Sequence, residues 1–388
     1  MLILNKDSLT SRLFLFIFVI SSFGSGFFST HIGVSTGKFY ILCVAIALVY
    51  FIRNDIFRGN TKTVILSVGT CLLVLMLLSV NIAGESNIAY FQSVYFYMIV
   101  FMALFVSDKW NDFYKIGIVV LYINFPLLIY EIYTGSYIVQ SSSDFGPEYG
   151  RVKGIFEYSK MLGYFCIILG LLCYKKMSTF TLVLVLFSSL LSGSRLAIIP
   201  ILIVFFVKVV LSILIDSSVK VKIISLISIL VSFGFLSLYL SHNSGSEIIV
   251  SRLSNAFSTT SSSNSERIFY WTQHLSVFNE RGLWAMFFGE PGDAYMKIGN
   301  GSESSYIHLL LEGGVSGFLL YSLAFLVLIY CLFLKEHIIH KWTGFLGVFL
   351  LILCFQISRI GLSVIDGTYF WVFVLYCFFY RKIDDKKN

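Results

Sequence analysis

The chain has 388 residues, of which 57% are hydrophobic and only 13% charged, and its mean hydropathy is +0.85. A soluble domain carries about a quarter charged residues, so the composition excludes an ordinary soluble protein. The net charge of +7 does not indicate a nucleic-acid partner, because the basic residues are distributed along the chain as a membrane topology predicts.

Apolar runs recur from one end of the chain to the other, and a run of about 17–25 residues is long enough to cross a bilayer as a helix. We therefore expect an all-α polytopic membrane protein that forms one integral membrane domain over residues 1–388. The first run is expected to be an uncleaved helix rather than a secretory signal, because so many spans follow it. About twelve transmembrane helices are predicted, at 11–29, 38–53, 63–84, 88–106, 114–134, 160–174, 178–192, 196–215, 222–241, 305–334, 342–358 and 367–380.

The positive-inside rule places both termini in the cytoplasm, because most of the 28 basic residues then fall on the cytoplasmic side. Lysine dominates on that side, whereas arginine dominates among the outer basic residues. Arginine's planar fork suits bidentate binding of phosphate or carboxylate, so the outer face is expected to bind an anion. The outer basic residues are Lys38, Arg151, Lys153, Lys160, Arg195, Arg252, Arg267, Arg281, Lys297 and Arg359.

Two outer segments, 135–159 and 242–304, are longer than a connection requires, and long loops of this kind are usually functional. The second contains a flexible Ser/Thr/Asn tract at 258–265 and then "ERIFYWTQHLSVF" at 266–278. The apolar spacing of the latter predicts a helix in the membrane interface, with Arg267 and His274 near the headgroups. The residues expected to face the membrane are Ile268, Trp271, Leu275 and Phe278.

Four stretches on the outer side carry candidate chemistry. They are "YGRVKGIFEYSKMLGYF" (149–165), "LLSGSRLAIIP" (190–200), "NSERIFYW" (264–271) and "ESSYIHLLLEGGVSGFLLY" (303–321).

Each stretch also has a structural interpretation. Arg195 would snorkel to lipid headgroups, and Arg151 and Lys153 would belong to a solvated loop. Glu303 would cap the next helix, and His308 would be a satisfied structural histidine.

Other residues of the outer loops and of the next helix also have a purely structural interpretation. Arg281 and Lys297 are expected to be solvated loop residues. The Gly313–Gly317 pair is better explained by close helix packing than by ligand contact.

Together the four stretches resemble the O-antigen polymerase and ligase superfamily over about residues 145–320. The shared pattern is Arg151–x–x–Gly154–x–Phe156, then Gly193–Ser194–Arg195, then Arg267–x–x–x–Trp271, and finally Ser305–Tyr306–x–x–Leu309–Leu310–x–Glu312–x–Gly314. The resemblance implies a fold like that of C-type glycosyltransferases, in the bacterial inner membrane, with a periplasmic active site. Segments 135–159 and 242–304 would then be periplasmic loops.

The resemblance also implies a reaction. Oligosaccharide repeat units on undecaprenyl pyrophosphate would be joined by sugar transfer, with the lipid pyrophosphate as leaving group. Membrane lipid and a polysaccharide chain-length regulator are the implied partners, with no nucleic acid. The outer loops lack an Asp-x-Asp cluster, and the seven cysteines lack metal-ligand spacing. Catalysis without a metal or another cofactor is therefore expected.

The residues suggest specific roles in such a reaction. Arg151, Arg195 and Arg267 would stabilise the charge that develops on the pyrophosphate. Glu303 is the first candidate general base, because burial at a desolvated mouth would raise its pKa, and His308 is the second. The residues expected to contact the substrate are Lys153, Trp271 and Tyr306.

Two other functions stay open. Ligases of this superfamily typically have a histidine three residues before the tyrosine of the last motif. Here that position is Glu303, which favours the repeat-unit polymerase over the ligase. A flippase for the same lipid-linked unit would show two pseudo-symmetric halves with binding groups near the bilayer midplane. In this chain the unusual charges gather at one face, which favours an enzyme.

Overall fold

The computed structural model describes residues 109–139, 151–174, 176–215, 262–290, 292–335, 338–360 and 364–379, together with isolated positions elsewhere. Every element in these ranges is a helix, as the sequence predicts. The helices are α1 (Trp110–Thr134), α2 (Ser159–Cys173), α3 (Thr179–Leu191), α4 (Arg195–Ile215), α5 (Ser262–Asn279), α6 (Leu283–Phe288), α7 (Asp293–Ile298), α8 (Ser305–Lys335), α9 (Ile338–Ile357) and α10 (Val364–Phe379).

Two of these helices are long and apolar enough to cross a membrane, namely α1 and the Ser305–Leu332 part of α8. The apolar parts of α2, α3, α4, α9 and α10 are shorter. These seven helices coincide with seven predicted spans, which are therefore confirmed as helices. The other predicted spans lie outside the described residues apart from isolated positions; they are 11–29, 38–53, 63–84, 88–106 and 222–241.

Helix α2 is the centre of the described bundle, since α3, α4, α9 and α10 all pack against it. From Phe165 to Cys173 its sequence is apolar on every side, as expected for a helix surrounded by other helices. Glycines bring the neighbours close: a Cβ at Gly170 would lie 3.3 Å from Ile201 Cγ1, and one at Gly347 of α9 would lie 2.6 Å from the carbonyl oxygen of Leu171. Any shift of α2 therefore moves several helices.

Helix α8 is broken at Gly314, whose φ of 62° and ψ of −165° suit only glycine. Helix α6 packs into this break, because a Cβ at Gly314 would collide with the carbonyl oxygen of Phe287 and would lie 2.5 Å from the amide nitrogen of Gly289. Close packing was predicted for the Gly313–Gly317 pair. Gly313 does lie in a tight backbone contact, since a Cβ at Gly289 would be 2.7 Å from its amide nitrogen, and Gly314 shares this contact. The partner is the short helix α6 from the preceding loop.

The loop before α8 is fixed by Arg281, so the expectation of a solvated side chain is wrong for this residue. Its guanidinium is buried; Nη1 donates to the carbonyl oxygen of Leu311 at 2.6 Å, and Nη2 donates to that of Glu290 at 3.1 Å. Nη2 also lies 3.5 Å from Asp293 Oδ2. Lys297 is half exposed, as expected, and its Nζ lies 3.0 Å from Asp293 Oδ1.

Helix α5 confirms the predicted helix at 266–278, but its faces differ from the prediction. Trp271 and Phe278 pack inward, whereas Ile268 and Leu275 are exposed. His274 is buried, and its Nε2 lies 3.0 Å from the carbonyl oxygen of Asn300, so its predicted place at the headgroups is wrong. The inward face of α5 is thus mixed in polarity, which an apolar stripe alone does not reveal.

Candidate functional site

Glu303 lies at the centre of a cationic cluster. Arg267 Nε of α5 donates to Glu303 Oε2 at 2.6 Å, and Lys160 Nζ of α2 lies 3.7 Å from Glu303 Oε1. Both basic side chains are partly exposed, as is the carboxylate itself. The third and fourth sequence stretches therefore meet here, and a residue at the end of the first stretch joins them.

The pKa direction expected for Glu303 is wrong. Burial by itself raises the pKa of this carboxyl, but the charges of Arg267 and Lys160 and the hydrogen bond from Arg267 outweigh it. The pKa therefore lies below its ordinary value of 4.5. A carboxylate of this kind is a strong ion-pair partner and a weak base at neutral pH.

Glu303 does not cap the following helix either. Ser304 does so, since its hydroxyl oxygen accepts the N–H of Ile307 at 3.5 Å. Ser305 ties the same turn to the segment after α9: its hydroxyl donates to the carbonyl oxygens of Ser358 and Ile360, the latter at 3.0 Å. The backbone of Glu303 thus lies on a turn fixed by its neighbours, and its side chain pairs with Arg267 and Lys160.

Arg359 is a further cation at this site, and no sequence motif singled it out. Its Nε donates to the carbonyl oxygen of Ser302, and its guanidinium packs directly on Gly301, where any Cβ would collide with it. The charges of Glu303 and Glu312 both act on it. Its presence among the outer arginines was the only signal in the sequence.

Helix α2 connects this cluster with the second stretch. The Tyr164 hydroxyl hydrogen-bonds the Ser358 hydroxyl, next to Arg359. One residue earlier, a Cβ at Gly163 would lie only 2.6 Å from Ser194 Cβ. The turn that contains Gly193 (φ 63°) and Ser194 therefore lies against α2 beside the cluster.

Arg195 is the first residue of α4, directly after that turn. Its side chain lies outside the described part of the structure. Arg151 is half buried, and its carbonyl oxygen accepts from the Tyr137 hydroxyl at 2.8 Å. The next residue, Val152, donates its N–H to the carbonyl oxygen of Leu191 at 3.0 Å, so the first and second stretches are also in contact.

The first stretch is shaped by Glu131, which sequence reasoning missed. This buried carboxylate of α1 accepts the N–H groups of Ile138, Lys153 and Gly154 at 2.8–3.0 Å. Gly154 has φ 60°, and a Cβ there would collide with the side chain of Asn124. One carboxylate thus fixes both ends of a loop whose middle, 140–150, lies outside the described residues.

Lys153 is fully buried, so neither a solvated loop position nor an open substrate contact describes it. Its Nζ donates to the carbonyl oxygen of Glu157 at 2.8 Å and lies 4.6 Å from the centre of the Tyr137 ring. Its contacts support the loop from within.

The remaining candidates lie at the start of α8 and on α5. His308 is partly buried, one turn into α8, where the charges of Arg359 and His274 act on it. Tyr306 packs against Phe318 and Phe355. Trp271 is partly buried, and its indole N–H has no hydrogen-bond partner among the described residues.

In the described part of the chain, no group of three His, Cys, Asp or Glu side chains is arranged to hold a metal ion. A comparison of the sequence with protein-family models finds no matching family, and a comparison with curated proteins finds no matching relative. The function is therefore inferred from the residues and their geometry.

Proposed function

We propose that this protein is a membrane-embedded polymerase of lipid-linked oligosaccharide repeat units, acting at the periplasmic face of a bacterial inner membrane. Its substrates would be two undecaprenyl-pyrophosphate-linked glycans, one as donor and one as acceptor. The product would be a lengthened O-antigen or a related surface polysaccharide.

The observation that carries the proposal is the meeting of Arg267, Lys160 and Glu303. These residues lie on α5, on α2 and on the turn before α8, which are far apart in the sequence. The 192–194 turn contacts the same part of α2 at Gly163. Four stretches spread over about residues 149–321 thus adjoin one end of one helix, which supports a shared site.

The chemistry matches this charge distribution. In the transfer step the bond between the donor's anomeric carbon and the pyrophosphate oxygen breaks, and the acceptor hydroxyl oxygen bonds to that carbon. The electron pair of the broken bond stays with the lipid pyrophosphate, whose added negative charge is stabilised by preorganised cations. Arg267 and Lys160 supply cations at the cluster, and Arg151 and Arg195 are the further candidates.

The acceptor's proton must leave as the new bond forms. Glu303 is poorly suited to take it, because its pKa is lowered. Its contacts fit a positioning role, in which it holds Arg267 and Lys160 in place. His308 is then the remaining candidate base.

The test is the length distribution of the surface glycan in cells that express variants of the chain. Arg195→Lys, Arg151→Lys and Arg267→Lys keep the charge and remove the planar fork, so each is expected to lower the rate about 10²–10³-fold and shorten the ladder. Membrane levels of the protein should stay unchanged. The control is Lys297→Ala, which removes a half-exposed cation outside the cluster and should leave the ladder intact.

The pattern of products separates the rival functions. A single repeat unit on the lipid acceptor core indicates lost polymerisation, whereas finished polymer that stays on its carrier indicates a ligase. Full-length ladders from all three arginine variants would refute the catalytic proposal.

A transporter of the same unit is the second candidate, because many transporters bind substrate at discontinuous helices and α8 is discontinuous at Gly314. At this break, however, the carbonyl of Leu311 is occupied by Arg281, and α6 fills the space beside Gly314. Purified protein in detergent distinguishes the two functions. A polymerase forms polymer from lipid-linked units there, and a transporter does not.

A further inference from the structure

The segment of α6 and α7 presents an unusually apolar surface. Leu283 is 87% exposed, and Trp284 and Phe287 of the same short helix are about half exposed. Tyr295 and Met296 on α7 are also more than half exposed. Clustered exposed apolar and aromatic side chains such as Leu283, Trp284 and Phe287 of one short helix usually mark a contact with a partner or a membrane.

The contact between α6 and α8 determines how deep α6 lies in the bilayer. The backbone of Phe287 and Gly289 contacts Gly314, and Glu290 N–H donates to the carbonyl oxygen of Leu311 at 3.0 Å. At 1.5 Å per residue, Gly314 lies about 13 Å along the helix from Ser305. The Ser305–Leu332 segment has 28 residues and is about 42 Å long, against a hydrocarbon core of about 30 Å. A centred span places Gly314 about 7 Å inside the hydrocarbon.

Several polar groups of the segment are hydrogen-bonded to α8. The Leu311 carbonyl, freed by the break in α8, accepts from Arg281 as well as from Glu290 N–H. The Glu312 carboxylate accepts the N–H of Gly292 at 3.1 Å. Irregular backbone at membrane depth is tolerated only where protein satisfies it in this way. The segment is thus polar toward α8 and rich in apolar side chains on its open side, although Lys297 of α7 is half exposed and pairs with Asp293 at 3.0 Å. A long lysine side chain of this kind reaches the headgroups while its stem lies along apolar surface.

We propose that α6 and α7 are inserted in the outer leaflet, with Leu283, Trp284 and Phe287 in contact with lipid acyl chains. The occupant of this surface is therefore bilayer lipid, and aromatic side chains are enriched at that depth. The inference rests on the membrane placement of α8 in the proposed function and does not depend on glycosyl transfer. The large loop would then be partly embedded rather than wholly aqueous.

Cysteine labelling in isolated membranes tests the proposal. Leu283→Cys on α6 and Met296→Cys on α7 replace exposed apolar side chains, and Glu280→Cys, three residues before Leu283, is the matched control at an exposed polar position. A membrane-impermeant charged maleimide should label Glu280→Cys at least about tenfold faster than the other two, because a charged reagent is excluded from hydrocarbon. The unsubstituted protein gives the background from native cysteines.

A phospholipid that carries a photoactivated carbene precursor on its acyl chain separates lipid from a covering protein, because a carbene inserts into C–H bonds and needs no thiolate. It should crosslink to the α6–α7 segment in intact membranes if acyl chains cover Leu283 and Met296. Labelling of both by the charged reagent at the rate of Glu280→Cys would overturn the proposal. Resistance to the charged maleimide without crosslinking to the acyl-chain carbene would also overturn it, because a protein partner would then cover the surface. Neither result bears on polymerase activity, which the glycan ladder measures separately.

Discussion

At the residue scale, the role of Glu303 depends on its neighbours. A carboxylate at the start of a membrane helix has a raised pKa if burial dominates and a lowered one if cations dominate. Here Arg267 and Lys160 outweigh burial. Because the pKa is depressed, the ion pairs contribute at every pH above 4.5 and are lost only as the pH falls through the lower folded-state pKa.

The Glu303→Gln variant tests this role. It keeps the shape of the side chain and removes the charge, so we expect a loss of activity of about tenfold or less, as for a partly exposed ion pair. The pH profile between about 5 and 8 should keep its shape, because Glu303 does not titrate in that range. Initial rates with purified protein measure both quantities.

The control is Glu266→Gln, which removes an exposed carboxylate next to Arg267 on α5 and should have no effect. A loss of about 10²-fold or more in Glu303→Gln, together with the disappearance of an acid limb, would identify Glu303 as the general base instead.

At the element scale, the break in α8 depends on one glycine. The positive φ and extended ψ of Gly314 form a backbone conformation that essentially only glycine adopts. Helix α6 also occupies the space where a Cβ would lie. The break lets a loop helix dock beside a long apolar helix and exposes the carbonyl that Arg281 binds. The position of the cluster before α8 thus depends on backbone geometry about ten residues further along.

We expect Gly314→Ala to destabilise the protein by at least about 2 kcal/mol, because backbone strain adds to a collision with Phe287. The matched control is Gly135→Ala, where φ is +63° but nothing lies within 4 Å of the added Cβ. This control carries only the cost of positive φ, about 1 kcal/mol. Thermal unfolding in detergent measures both, and equal midpoints would show that α6 does not need the close contact.

At the scale of the whole molecule, α2 couples the core to the site. The N-terminal half of α2 contacts the 192–194 turn and carries Lys160 and Tyr164. Its C-terminal half is packed among α3, α4 and α9. A displacement of about 1 Å at a catalytic site can cost about 10²-fold in rate. Substitutions in the N-terminal half of α2 should therefore lower the activity more than they lower the stability of the protein.

Gly163→Ala and Gly170→Ala make the same change two helical turns apart. At Gly163 the added Cβ lies 2.6 Å from Ser194 Cβ, so the turn before Arg195 must move; at Gly170 it meets Ile201 Cγ1 at 3.3 Å, where a flexible side chain can adjust. We expect Gly163→Ala to lower the proposed polymerase activity about tenfold or more, with Gly170→Ala close to the unsubstituted protein. The glycan ladder, normalised to protein in the membrane, reports the result, and equal activity of the two variants would refute this coupling.

The sequence by itself determined where the helices lie. The apolar runs at 160–174, 178–192 and 196–215 match α2, α3 and α4 to within a residue or so. The reason is local: in an apolar environment the backbone satisfies its own hydrogen bonds only as a helix, so run length and composition suffice.

Only the tertiary structure decided how the charges are used. Arg281 was expected in water and is buried; His274 was expected at the headgroups and lies inside. Glu131 drew no attention, and Arg359 was given no role beyond its place among the outer basic residues. In each case the partner is a backbone group or side chain remote in the sequence or across a turn, and no local pattern encodes that distance. Burial and pairing set the ionisation of a charged group, and both arise only when separate helices pack together.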